Sequence, residues 1–217
     1  MTPLRVTAYI SQQVVARSTI ALDSLLMAMV ARRDGLPPLE VARRAGEVHP
    51  IEIPIALSPC GRIYLCSHAK PEWEEYEHRW RIRRPAFGAL LKQTKLGTLN
   101  DAAGPNKADR VPYQSAFVKG GRIDWWCLGD RAQVAALLEL CTSIGGRRST
   151  GLGRVDRWEV EPCEAWQGFP VTREGVPLRT LPTDWTEATE YVIDEGLLMP
   201  PYSDDECWRS EYVLRAL

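Results

Sequence analysis

The spacing of apolar residues changes period along this chain, and the order of those changes limits the folds open to it. Val6, Ala8 and Ile10 recur at every second residue, as in a strand with one buried face. Leu22, Leu25, Leu26, Met29 and Val30 then recur at helical spacing, with Asp23 or Ser24 available to cap the start and Gly35 to end it. Ile51, Ile53, Ile55 and Leu57 return to strict alternation. Ser58-Pro59-Cys60-Gly61 has turn chemistry, and residues 62–69 read as the returning strand. Further on, Val134, Leu137, Leu138 and Cys141 stripe a helix over 131–144 that Asp130 can cap, and residues 155–160 alternate once more. With the stretch between set aside, the order is βαββαβ. It predicts an α+β domain of ferredoxin-like (RRM-like) form over residues 1–161, two helices on one face of an antiparallel sheet.

Residues of about 70–128 read as an insertion. It opens on a charged and aromatic run, Glu72-Trp73-Glu74-Glu75-Tyr76-Glu77-His78-Arg79-Trp80-Arg81, suited to a local strand or short helix. It closes with two β-rich segments, 111–119 and 122–128, flanking Gly120-Gly121, which predicts a hairpin. Residues 162–217 form an acidic, Pro- and Trp-rich extension expected to pack on the domain with little regular structure.

The net charge of −1 conceals a division. Residues 159–217 hold thirteen acids and four bases, leaving 23 bases and 15 acids in residues 1–158. A basic body with an acidic tail suits a polyanion site on the body, although segregated solubility charge gives the same pattern. No apolar run reaches the roughly 18–20 residues of a membrane span, and the first residues do not resemble a secretion leader, so a cytoplasmic protein without membrane contact is expected. The six cysteines contain no Cys-x-x-Cys pair and read as reduced thiols; neither metal nor cofactor is expected.

The segment from Gly145 to Arg154 carries the strongest local chemistry. Gly145, Gly146, Gly151 and Gly153 permit positive φ and close backbone approach. Arg147, Arg148 and Arg154 supply planar cationic forks suited to phosphate, Ser149 and Thr150 add hydroxyls, and no acid intervenes. Successive amides in such a loop can cradle an anion, while the alternative is a long glycine cap with solvated arginines. The segment lacks Gly-Lys-Ser/Thr, and its glycines follow a helix rather than a strand, which excludes Walker and Rossmann readings. A second basic region, including Lys107 and Arg110, interleaves with Tyr113 and Phe117, a mixture suited to single-stranded RNA or to an ordinary solvated hairpin. The catalytic inventory is thin: His49, His68 and His78 are the only histidines, and the acidic runs lack a convergent second ligand set.

The element order, with Gly145-Gly146-Arg147-Arg148-Ser149-Thr150-Gly151-Leu152-Gly153 between the last helix and last strand, resembles the RAMP superfamily of CRISPR proteins. Leu22-Asp23-Ser24-Leu25-Leu26, Gly104-Pro105-Asn106-Lys107 and Ile144-Gly145-Gly146-Arg147-Arg148-Ser149 resemble one branch in particular. That branch is the 5′-handle-capping, Cas-five-like Csf subunit of type IV effector complexes. The resemblance implies a non-catalytic subunit that binds CRISPR RNA. Its site residues would be Gly145, Gly146, Arg147, Arg148, Ser149, Thr150, Gly151, Gly153 and Arg154, with Lys107 and Arg110 as outlying contacts. It also implies partners: the backbone and large subunits, and target DNA near the flanking motif. The rival within the superfamily is a metal-independent endoribonuclease acting on precursor RNA, for which His68 with Tyr64 is the acid/base pair to nominate.

Overall fold

Leu4, Val6 and Ala8 are fully buried, so β1 (Thr2–Tyr9) runs through the middle of the molecule rather than along an edge. In this computed structural model, which describes residues 1–15, 19–36, 51–83, 109–146, 150–165, 170–172, 174–196, 198 and 211–215, β1 pairs on both sides. Antiparallel β7 (Arg122–Gly129) lies on one side, with Val6 opposite Trp125. Antiparallel β8 (Arg157–Pro162) lies on the other, with Val6 opposite Val160. Beyond β7, single bridges join Cys66 to Cys127 and Ile55 to Gly129. Two short strands, β3 (Ile20–Ala21) and β4 (His68–Ala69), pair at this end of the molecule.

The helices α1 (Leu22–Arg33) and α2 (Arg131–Glu139) close one face of this sheet. Leu22, Leu26, Met29 and Val30 from α1 and Val134, Leu137 and Leu138 from α2 share a core with Trp125 and the inward residues of β1. Asp130 caps α2 as its chemistry predicts, accepting a 2.9 Å bond from the Gln133 amide. The first helix differs from expectation. Its N-cap is Ala21, with no side-chain bond, because Asp23 is turned inward and fully buried against Arg179.

A second sheet holds β2 (Val14–Val15), β6 (Asp109–Val118) and β5 (Trp73–Arg83) in the order β2-β6-β5. Within the expected insertion of about 70–128, β5 and β6 thus form a long two-stranded ribbon, whereas β7 corrects that reading: it is the neighbour of β1 in the first sheet. Pro112 lies inside β6, yet β2 pairs only with Ser115 and Ala116, so the missing amide of Pro112 leaves no ladder incomplete on that side. The Gly120-Gly121 signal is a corner rather than a hairpin. Both glycines have positive φ, of 72° and 66°, and they turn the chain from β6 in the second sheet to β7 in the first. Expected strand 51–57 survives as isolated bridges only; its alternation records the burial of Ile51, Ile53 and Ile55 against the core. The second helix stops at Glu139 instead of Ile144, since the following residues pair with the chain entering β8.

The C-terminal region is more regular than its composition suggests. Strands β9 (Leu181–Pro182), β10 (Val192–Gly196) and β11 (Glu211–Arg215) form a third antiparallel sheet in the order β10-β11-β9. Leu181, Ala188, Leu198, Val213 and Leu214 make its small core, and Ile63 enters it from the first sheet's side. Arg179 is the polar tie. Its side chain has no exposure, pairs with Asp23 at 3.1 Å, and donates at 2.6 Å to the carbonyls of both Tyr64 and Leu198.

Candidate nucleic-acid interface

The glycine- and arginine-bearing segment is held by a narrow neck. After α2 the chain is pinned where the Trp158 indole donates to the Cys141 carbonyl at 2.8 Å. The Val155 amide then bonds the Thr142 carbonyl, Ser143 bridges Arg154, and the Ile144 amide bonds the Gly153 carbonyl at 2.8 Å. Ile144, Leu152 and Val155 are buried around this neck, which fixes the base of the segment.

Glycine is required at the neck for a steric reason. Gly153 has φ of 72°, and a Cβ there would stand 2.0 Å from the Ile144 carbonyl oxygen. Gly145 has φ of 75°, and a Cβ would meet Val14 at 3.0 Å. Gly151, with φ of 84°, has open space around it, so only its backbone conformation calls for glycine. Thr150, Gly151 and Arg154 are exposed, whereas Gly145 and Gly146 are half-buried. Arg147, Arg148 and Ser149 lie outside the described residues, as does Lys107. Arg110 belongs to β6, where its backbone pairs with Ile82. It stands five residues from Ser115, the point at which the ribbon meets β2, hence roughly 17 Å along the strand, so the backbone does not bring it to the neck.

The loop is joined to the second sheet through its backbone. The Gly153 amide donates to the Gln13 carbonyl at 2.8 Å, and Gln13 directly precedes β2. No periodicity or motif in the sequence marks Gln13; its role comes from a long-range contact.

The face of the first sheet opposite the helices has a different character. Arg5 pairs with Glu161 at 2.8 Å and Arg122 with Asp124 at 3.2 Å. The Arg157 guanidinium lies 3.7 Å from the centre of the Tyr9 ring, and the Tyr9 hydroxyl donates to Glu159 at 2.6 Å. That hydrogen bond holds the Tyr9 phenol above its ordinary pKa. Three arginines and three acids therefore balance across this face, which leaves it without a field to attract a polyanion.

Tyr64 and His68 sit beneath the C-terminal region. The Tyr64 hydroxyl donates to the Ile51 carbonyl at 3.2 Å, and burial pushes its pKa up to about 12. Burial, reinforced by the Arg179 cation, pushes the His68 imidazole down to about 4, and its backbone amide bonds the Leu178 carbonyl. A phenol and an imidazole so placed are both neutral at pH 7. Among the described residues, no helix is long and apolar enough to cross a membrane.

Comparison with known proteins supplies the class. The model of a CRISPR-associated family matches residues 69–214, two thirds of the chain, including both strands of the ribbon, α2, the loop, β8 and most of the third sheet. The chain belongs to that family, the CRISPR type IV associated protein Csf3. No curated protein matches it.

Proposed function

We propose that this protein is a non-catalytic RNA-binding subunit of a type IV CRISPR effector complex, and that it holds the 5′ handle of the guide RNA through the loop of residues 145–154. The observation that carries this reading is the neck. It fixes both ends of a cationic, acid-free loop while positive-φ glycines keep side-chain bulk away from the backbone between them. Phosphate oxygens can then approach the amides closely, with Arg147, Arg148 and Arg154 supplying charge-assisted bonds. The strand order also supports the reading. With the expected strands reassigned, so that residues 64–69 are the second strand rather than the third and β7, from the expected insertion, is the third, the sheet runs last strand, first, third, second, which is the ferredoxin-like order. The balanced open face favours the loop over the sheet as the RNA-contacting surface.

In this role the protein lets guide pairing read sequence while it grips backbone. Its partners are the guide RNA, the backbone and large subunits of the complex, and target DNA near the flanking motif, in the cytoplasm. The nuclease alternative gains nothing from the Tyr64 and His68 geometry, since a base that titrates near pH 4 takes up a proton poorly at neutral pH.

The test is a salt series of binding to repeat-derived RNA. Replacing Arg147 and Arg148 by Ala is expected to weaken binding and to flatten the slope of log affinity against log salt by about 1.4, the value for two lost single-strand phosphate contacts. Unchanged affinity and slope remove the loop from the interface.

A further inference from the structure

Gln13 touches the loop with its main chain and the ribbon with its side chain. Its carbonyl accepts the Gly153 amide, which closes the neck. Its Oε1 accepts two further bonds, from Arg79 Nη2 of β5 at 3.0 Å and from the Ser115 hydroxyl of β6 at 3.1 Å. Ser115 is fully buried, so water cannot replace that acceptor. Arg79 in turn binds Glu77 at 2.7 Å, and hydrogen bonds from Arg79 first, then Gln13, hold the Glu77 carboxyl below the ordinary carboxylate range. A primary amide suits this position because its oxygen accepts two bonds while its nitrogen donates. The next residue, Val14, packs at the site where Gly145 lacks a Cβ, so both ends of the loop rest on the same short segment.

We infer that Gln13 is a positioning residue that ties the neck of the glycine-rich loop, at Gly153, to the β5–β6 ribbon, so that the loop meets a polyanion backbone from a preset base. The inference deepens the RNA-binding reading and rests on it. With the two parts pre-set, binding need not order one against the other, and less affinity is lost to conformational entropy.

The experiment uses the full chain with Gln13→Met, Gln13→Glu and Ser115→Ala. Met preserves length and loses the amide, and Glu preserves the acceptor oxygen. Hydrogen exchange of the Gly153 amide is read first, without RNA. In Gln13→Met it is expected to rise roughly tenfold, the scale of one or two lost hydrogen bonds, with smaller rises in Ser115→Ala and in Gln13→Glu, which keeps the acceptor oxygen but loses the donor to Glu77. RNA affinity is read second. It is expected to fall roughly tenfold in Gln13→Met with the salt slope unchanged, since no phosphate contact has been removed. Gly153 exchange at the wild-type rate in both Gln13→Met and Ser115→Ala overturns the coupling. Faster exchange, with RNA affinity insensitive both to Gln13→Met and to the paired Arg147→Ala and Arg148→Ala changes, leaves the lock in place and overturns the RNA reading instead.

Discussion

Replacing Arg179 by Met tests what holds the third sheet to the rest of the molecule. The Arg179 and Asp23 side chains have no exposure, and their 3.1 Å contact is the only fully buried ion pair among the described residues. Met retains most of the stem volume but withdraws the charge, and with it the two 2.6 Å bonds to the carbonyls of Tyr64 and Leu198. Breaking a buried pair from one side costs about 3–5 kcal/mol, because the remaining charge stays out of water without its counter-ion. At about 2–4 °C per kcal/mol for a chain of this size, the melting temperature is expected to fall by roughly 6–20 °C. Thermal melting and equilibrium urea unfolding measure it, and limited proteolysis shows whether residues 170–215 become accessible first. The double variant Asp23→Leu with Arg179→Met removes both charges and is expected to be no less stable than the single change. A melting temperature for Arg179→Met within about 2 °C of wild type would refute the reasoning, since it is smaller than the loss of even one neutral hydrogen bond implies.

Acid should weaken the same region through His68. The unfolded chain binds the imidazole proton near pH 6.5 and the folded chain only near pH 4, so the unfolded state holds more protons between those values. Stability is then complete above pH 6.5 and falls by up to about 3 kcal/mol towards pH 4; urea midpoints across that window should lose most of this slope in His68→Gln. In the loop, Gly153→Ala is expected to cost well over 2 kcal/mol, combining positive φ with a clash against the Ile144 carbonyl, whereas Gly151→Ala should cost about 1–2 kcal/mol from φ alone; paired urea titrations rank them. Among the thiols, Cys60 is exposed and held below its ordinary pKa chiefly by the Ser58 hydroxyl, while Cys66 and Cys127 are buried and pushed up. Iodoacetamide at pH 7.5 should therefore label Cys60 in the native protein long before those two, as read by peptide mass spectrometry.

What the sequence shows of this fold is what short-range physics controls. Helix α1 spans the residues its apolar stripe predicts, because Leu22, Leu26, Met29 and Val30 face the core at 3.6-residue spacing. Asp130 caps α2 by a rule that needs only three neighbouring residues. Most of the failures are long-range. Gly120-Gly121 announces a sharp bend, yet nothing local says that β6 pairs with β5 and β7 with β1. Asp23 looks like a helix cap until Arg179 arrives from the far end of the chain to bury it. Strands β9, β10 and β11 escape the alternation test because two are very short or incompletely buried, with Val192 and Ile193 exposed. The loop's glycine and arginine content is legible, but the neck joining Ile144 to Gly153 and the bracket at Gln13 exist only once three separate segments have met.

The Asp23–Arg179 pair also sets an order for assembly during translation. A ribosome releases α1 long before it adds the arginine that neutralises this helix's one buried carboxylate. Until then, packing the start of α1 against the segment around Tyr64 and Cys66 would strip water from Asp23 with no counter-charge in place, a cost that Arg179 later offsets. Nascent chains should thus carry a wetted seam between helix and edge, sealed in one late step when the acidic region docks and brings its counter-charge.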